Sequence, residues 1–295
     1  MSKTRSDRVA AAILLGQLDQ FEARLPGAIS GQDPEDLHQL RIAVRRSRSL
    51  QHGLHEIFPP DELARSAEGF KWLQQLTNSV RDLDVLLADC DAAAEQRPEL
   101  ARGFAALRRE ISKRRTAERR GMRRGLESRR AAALVADWRS LLAQLPGDSR
   151  EIGAIVGPHV RRQYRKIVAT GRAVVDDPDP EKIHDLRKRA KNLRYFVEAF
   201  EDRYPKRVVK PLRADLKALH AVLGAFQDGA VQERLLRELA DQLSGAGAGS
   251  EPLLAIGCLF ERAAAARTAA IAEYPQTIES LAGKQLRAGV KSAFG

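Results

Sequence analysis

Aromatic residues make up only 5% of this 295-residue sequence, and cysteine occurs twice, at Cys90 and Cys258. The scarcity of rings argues against a single-stranded nucleic-acid platform, because such platforms stack bases on aromatic side chains. Neither cysteine sits in a metal-type spacing and nothing suggests a disulfide framework, so a reducing, cytoplasmic setting is expected. No apolar run reaches the roughly 18 residues that a membrane span needs. At the N-terminus, basic residues precede a short apolar run, Val9 to Leu15. Asp7, the polar break at Gln17 and the lack of a small-residue cleavage site favour an amphipathic helix there over a signal peptide. A P-loop, an H-E-x-x-H pair and a G-x-S-x-G elbow are all missing, so no cofactor and no hydrolytic chemistry of those kinds are expected.

What the chain has is positive charge. Fifty Lys and Arg against 39 Asp and Glu give a net charge of +11 and a pI of about 10.0. That balance is silent on fold but favours anionic partners. The 43% hydrophobic content can supply a core, and the 30% charged fraction suits exposed amphipathic helices.

The sequence also repeats itself. Residues 33–85 align on 179–231 without a gap at an offset of 146, with 12 identities in 53 positions. Unrelated sequences would give roughly three or four. The identities include Asp33/Asp179, Pro34/Pro180, His38/His184, Arg41/Arg187, Arg48/Arg194, Lys71/Lys217 and Asp82/Asp228. Arg115-Thr116-Ala117 matches Arg267-Thr268-Ala269 at an offset of 152, the difference being absorbed by the Gly-rich stretch Ser244 to Ser250.

Strand-type alternation is absent, so the expected fold class is all-α. Four helices are predicted near 5–25, 34–57, 61–94 and 99–130, and four near 150–172, 180–203, 206–243 and 252–282. Asp33 and Asp179 read as N-caps with proline at N1, and Pro59 and Pro205 mark breaks. Short breaks imply antiparallel neighbours, hence one domain over 1–295 made of two four-helix bundles: repeat 1 over 5–130, a connector over 131–149 and repeat 2 over 150–282.

The second helix of each repeat carries the most distinctive pattern. It reads His38-x-x-Arg41-x-x-x-Arg45-x-x-Arg48 in the first copy and His184-x-x-Arg187-x-x-x-Lys191-x-x-Arg194 in the second, with Lys188 beside it. Spacings of 3, 4 and 3 hold each set within roughly 80° of arc. Leu37, Leu40, Val44 and Leu50 occupy the adjoining arc, so the stripe borders the buried face. A solvated basic face has no reason to keep these types at this spacing in two otherwise divergent copies. Crowded cations repel by roughly a few tenths of a kcal/mol per pair, a cost that a multivalent anion relieves.

Lys71 and Lys217 on the third helices are expected as further anion contacts. Asp82 and Asp228, eleven residues on, share their face and are expected to steady an arginine fork, an ordinary salt bridge being the alternative. Residues 102–130 hold 12 Lys or Arg against three Glu. Arg108, Arg115 and Arg119 share a side there and are candidate anion contacts, as is Arg267, the match to Arg115. Metal binding by His38 and His184 is disfavoured, since zinc sites pair His with Cys, Asp or Glu and these neighbours are cations. His52 and His55, three apart, read as a surface pair.

The two stripes, followed by Val-Arg-Asp-Leu-Asp-Val (80–85) and Leu-Gly-Ala-Phe-Gln-Asp (223–228), resemble the conserved histidine α-helical domain, or CHAD, family over nearly the whole chain. The resemblance implies two helical bundles related by a pseudo-twofold, a basic cavity lined by His38, Arg41, Arg45, Arg48, His184, Arg187, Lys191 and Arg194, and binding of inorganic polyphosphate, with association to polyphosphate granules. Asn78 opposite Gly224 and Gln227 opposite Arg81 depart from equivalence. A triphosphatase segment with acidic metal-binding motifs, fused in some relatives, is not present, so hydrolysis is not transferred. The expectation is a non-enzymatic, cytoplasmic polyphosphate binder with no metal and no cofactor, to which nucleic acid is only a weaker electrostatic competitor. The alternatives are a nucleic-acid-binding helical protein and an accessory hydrolase of phosphate metabolism.

Overall fold

The structure is a computed structural model and describes residues 5–145, 147–176 and 179–295. The described residues form α-helices joined by short 3-10 turns, with no strand among them, as the missing alternation requires. In chain order the helices are α1 (Ser6–Ser30), α2 (Pro34–Gly53), α3 (Pro60–Leu76), α4 (Asn78–Gln96), α5 (Ala101–Leu126), α6 (Arg129–Ala143), α7 (Gly153–Asp176), α8 (Pro180–Ala199), α9 (Lys206–Gly245), α10 (Ser250–Leu281) and α11 (Lys284–Ala293). Among the described residues, no helix is long and apolar enough to cross a membrane.

Three element boundaries differ from expectation. The third helix of the first repeat, expected unbroken over 61–94, is two helices separated at Thr77, whereas its counterpart α9 runs unbroken. Thr77 is fully buried at this break. The expected connector holds a packed helix, α6. Ser128 caps it by accepting from the Ala131 N–H at 3.3 Å, and Trp138 is buried between the rings of Phe58 and Phe70, 5.5 and 5.7 Å away. Beyond the second repeat, α11 ends with Phe294 against Tyr204 at 4.3 Å between rings. The Gly-rich loop is where it was expected: Gly247 adopts a left-handed φ of 70°, which glycine reaches at no steric cost.

The chain forms two compact units, and neither coincides with one half of the sequence. The first takes residues 1–74, 126–223 and 273–295, and the second takes 75–125 and 224–272. In the second unit, Leu83, Leu86, Phe104, Leu107 and Ile111 share a core with Leu236, Leu239, Leu243, Ile256 and Leu259. Apolar faces from opposite halves therefore cover one another. In the first unit α1 packs along α2, α7 along α8, and α2 against α8. Tyr164 and Tyr274 tie α7 to the α10 end, their hydroxyls donating to the carbonyls of Leu281 and Gly171 at 2.7 Å each.

Candidate functional site

The two helices that carry the stripes start in the same way. Asp33 accepts from the Glu35 N–H at 2.8 Å and Asp179 from the Glu181 N–H at 2.7 Å, each satisfying a donor that the first turn would leave unpaired. These caps give α2 and α8 equivalent starting registers. The helices then pack on each other through small and polar residues. The Ser49 hydroxyl donates to the Arg45 carbonyl at 2.9 Å and lies 3.0 Å from Asn192 Oδ1. Shifting both partners of that contact by 146 gives Tyr195 and Arg46, and these also meet, with the guanidinium 5.7 Å from the ring centroid. Such reciprocity is what a twofold between the two helices produces. Gly53 permits the approach, because a Cβ there would run into the Phe196 ring.

This packing brings the stripes together. Arg41 is buried, and Arg45, Arg48, Arg187, Lys191 and Arg194 are half-buried. Lys191 is pushed down to about 8, first by burial, then by Arg45, Arg187, Arg48 and Arg41. Three of those four cations come from α2 and one from α8, so each stripe lies in the field of the other. Arg48 is pushed down by burial, with Glu68 opposing. The Nε atoms of Arg45 and Arg194 are buried without a hydrogen-bond partner. Guanidinium donors of this kind are normally satisfied, and leaving one dry costs about 1–3 kcal/mol.

The two halves of the cluster are held differently. Arg41 donates to the Gln74 carbonyl at 3.0 Å, and Arg48 donates to the Gln74 side-chain oxygen. Gln74 lies in the last turn of α3, where carbonyls lose their helical donors and the macrodipole favours a cation. At the equivalent register of α9 stands His220, and α9 does not end there. His220 Nε2 is buried without a hydrogen-bond partner. The imidazole is pushed down to about 3 by burial, then by Arg187, Arg194, Lys191 and Arg45. Sequence reasoning missed both Gln74 and His220. The available signal was a polar residue directly after a buried leucine, Leu73 or Leu219, in both copies.

The remaining expected contacts are placed as follows. His38 is half-buried and His184 exposed at the head of its stripe, with its pKa lowered by burial and by Lys188. Lys188 is exposed and pairs with Asp185 at 2.7 Å. Lys71 is exposed on α3 and pairs with Glu68 at 3.4 Å, and Lys217 is exposed on α9. Arg108, Arg115, Arg119 and Arg267 belong to the second unit. There Arg108 pairs with Asp91 at 2.8 Å, Arg115 with the buried Asp84 at 2.5 Å, and Arg267 with Glu233 at 3.0 Å, while Arg119 is half-buried. Asp82 and Asp228 are exposed in the same unit, and it is Asp84, two residues on from Asp82, that receives Arg115. His52 and His55 are both exposed, as a surface pair would be, and the His52 ring lies 6.2 Å from that of the buried His159, with its pKa lowered first by desolvation.

Comparison with known proteins points one way. The family model described as CHAD domain matches residues 12–237. Two proteins of Mycobacterium tuberculosis, uncharacterized protein MT2285 (strain CDC 1551 / Oshkosh) and uncharacterized protein Rv2226 (strain ATCC 25618 / H37Rv), are each 27% identical over 250 residues, covering 80% of this chain and 46% of the relative. The chain thus spans about half the length of these relatives. Among solved structures, the CHAD domain from the plant Ricinus communis superposes with a TM-score of 0.69 at 26% identity, over 99% of this chain and 93% of that one. PptA from Streptomyces chartreusis shares the fold, with a TM-score of 0.72 at 17% identity over 93% and 99% of the two chains.

Proposed function

Because this chain belongs to the CHAD domain family, we propose that it captures inorganic polyphosphate on the facing cations of α2 and α8 and does not hydrolyse it. CHAD domains bind polyphosphate, so a polyphosphate-related role follows from membership. The observation that supports this particular place is Lys191, half-buried among arginines from both stripes. Burying like charges together is costly unless an anion compensates them. An unsubstituted phosphate chain offers closely spaced oxygens for that purpose. Arginines would hold it bidentately, Lys191 as a point charge, and His38 and His184 as hydrogen-bond donors. Lys71, Lys188 and Lys217, being exposed, would serve as outer contacts. The same cations repel a metal ion, which disfavours metal-assisted phosphoryl transfer at this place. We place the protein in the cytoplasm, on polyphosphate granules.

The test is polyphosphate binding by the wild-type chain and by the double variant Arg45→Glu/Lys191→Glu. Binding is expected to be abolished with helicity unchanged by circular dichroism. Retained affinity would move the site to the basic surface of α5. That surface supports the second reading, a nucleic-acid binder: Arg102, Arg109, Lys113, Arg120 and Arg124 are exposed along it. Competition between polyphosphate and duplex DNA at matched salt separates the two. Phosphate release from polyphosphate with added Mg²⁺ is expected to be nil, and measurable turnover would overturn the non-catalytic reading.

A further inference from the structure

We infer that His220 is a further phosphate-binding group of this cluster, one that takes up a proton from solvent as the anion enters and donates it through Nε2 to a phosphate oxygen. This rests on the polyphosphate reading above and adds to it a residue and a pH dependence.

The argument begins with register. His220 lies 146 residues after Gln74 and occupies the equivalent place beside its own stripe. Gln74 spends its polar atoms on the arginines of α2. A neutral amide can do that at any pH, because its oxygen accepts. Imidazole differs. The groups that face it are Arg45 from α2 and Arg187, Lys191 and Arg194 from α8, all cations. Guanidinium offers no acceptor, and neither does ammonium, so a protonated His220 finds no partner among them. Nε2 is accordingly buried with its hydrogen-bonding capacity unused. His159 is a useful contrast. It is buried, keeps Nδ1 without a hydrogen-bond partner and is pushed down to about 4, but it packs 4.6 Å from the Phe196 ring and its charged neighbours are His52, Arg162, His55 and Glu56, none of them a stripe residue. His220 is instead surrounded by the groups proposed to hold the ligand.

A phosphate chain reverses both effects that keep His220 neutral. Its negative charge offsets the four cations, and its oxygens supply the missing acceptor. Binding and protonation are therefore linked, and each promotes the other. The linkage works below neutrality, because in the anion-free protein His220 is neutral down to about pH 3. Other groups in the cluster also titrate, notably His184 and Lys191. They are unchanged when His220 is replaced, so the difference between wild type and variant isolates His220.

The experiment is titration calorimetry of the full chain with long-chain inorganic polyphosphate at pH 7.5 and 5.5, each in two buffers of different ionisation enthalpy. The variant is His220→Gln, which places in α9 the residue that α3 already uses, with His220→Asn as the substitute if the glutamine variant melts early. Wild type should bind about three- to fourfold tighter at pH 5.5 than at 7.5, beyond any gain in the variant, if the bound imidazole titrates near 6. It should also take up more protons on binding at pH 5.5. At pH 7.5 the two should agree within about twofold. The same pH dependence and proton uptake in both proteins would overturn the role of His220 while leaving the polyphosphate site standing. Absence of wild-type binding at both pH values would overturn the polyphosphate reading and this inference with it.

Discussion

Lys191 is the residue at which stability and binding oppose each other. Its pKa is lowered from 10.5 to about 8. Below pH 8 it is charged in both folded and unfolded chains, and the cost of burying that charge is fully present. As pH rises from about 8 toward 10.5 the folded protein sheds the proton first and the cost fades. Lys191→Met should therefore stabilise the anion-free protein at pH 7 by about 2 kcal/mol, a figure discounted for its partial exposure, and by less at pH 9.5. Urea denaturation at the two pH values measures this, and a loss of stability at pH 7 would refute it. The same change should weaken polyphosphate binding by about tenfold, the worth of one charge-assisted contact. Asp84 works the other way. Its side chain is 1% exposed and holds Arg115. Asp84→Ala leaves an uncompensated half-buried guanidinium and should cost about 3 kcal/mol. Thermal melting checks this, with polyphosphate affinity expected to stay within about twofold if α2 and α8 hold the anion.

At the scale of the element, glycine shows how packing decides what propensity cannot. Replacing an exposed helical glycine by alanine stabilises by about 0.5–1 kcal/mol. Gly121 of α5 has open space where a Cβ would go, so Gly121→Ala should gain that amount. Gly53 of α2 faces the Phe196 ring, so Gly53→Ala should instead cost about 1–3 kcal/mol, because α2 and α8 must separate. Melting temperatures moving in the same direction for both variants would contradict the close α2–α8 approach. Local signals in the sequence were sufficient for α2 and α8, whose Asp-Pro-Glu starts cap them as expected. They failed at Thr77. Nothing in the apolar spacing of residues 61–94 distinguishes a broken helix from a continuous one. The break coincides with a tertiary event, the capture of the Gln74 carbonyl by Arg41 from another helix. They failed again at α6, where the capping Ser128 was legible but lay inside the stretch expected as a continuous helix over 99–130, and the rest of α6 fell in the expected connector.

For the whole molecule, charge and topology make separate predictions. The clustered cations of the stripes, in a chain of net charge +11, should make polyphosphate affinity fall steeply with salt through counterion release, by a factor of about 10³ or more between 50 and 200 mM if six or more phosphates are contacted. Titrations across that range measure the slope, and a flat response would exclude electrostatic capture. Topology bears on folding. The second unit's core joins Leu83, Leu86 and Leu107 from the first half to Leu236, Leu239 and Leu259 from the second. Residues 1–145 alone should therefore lack a cooperative melting transition, despite containing a whole sequence repeat. A sharp transition in that fragment would show that each half is self-sufficient.

The sequence alone determined the helical class, the duplication and the identity of the two cationic stripes, because each is written in local spacing: apolar period, cap chemistry and a constant offset. It also placed the stripes beside the buried face, since Leu37, Leu40 and Val44 adjoin the arc of Arg41, Arg45 and Arg48. Only the tertiary structure decided which cations share one field. It brought Lys191 against Arg41, Arg45 and Arg48, assigned Arg115 and Arg267 to carboxylates in the second unit, and introduced Gln74 and His220. The physical reason is range. Helical periodicity fixes an angle about one axis, whereas a charge responds to every neighbour within several ångströms. Those neighbours here are supplied by helices about 150 residues apart in the chain.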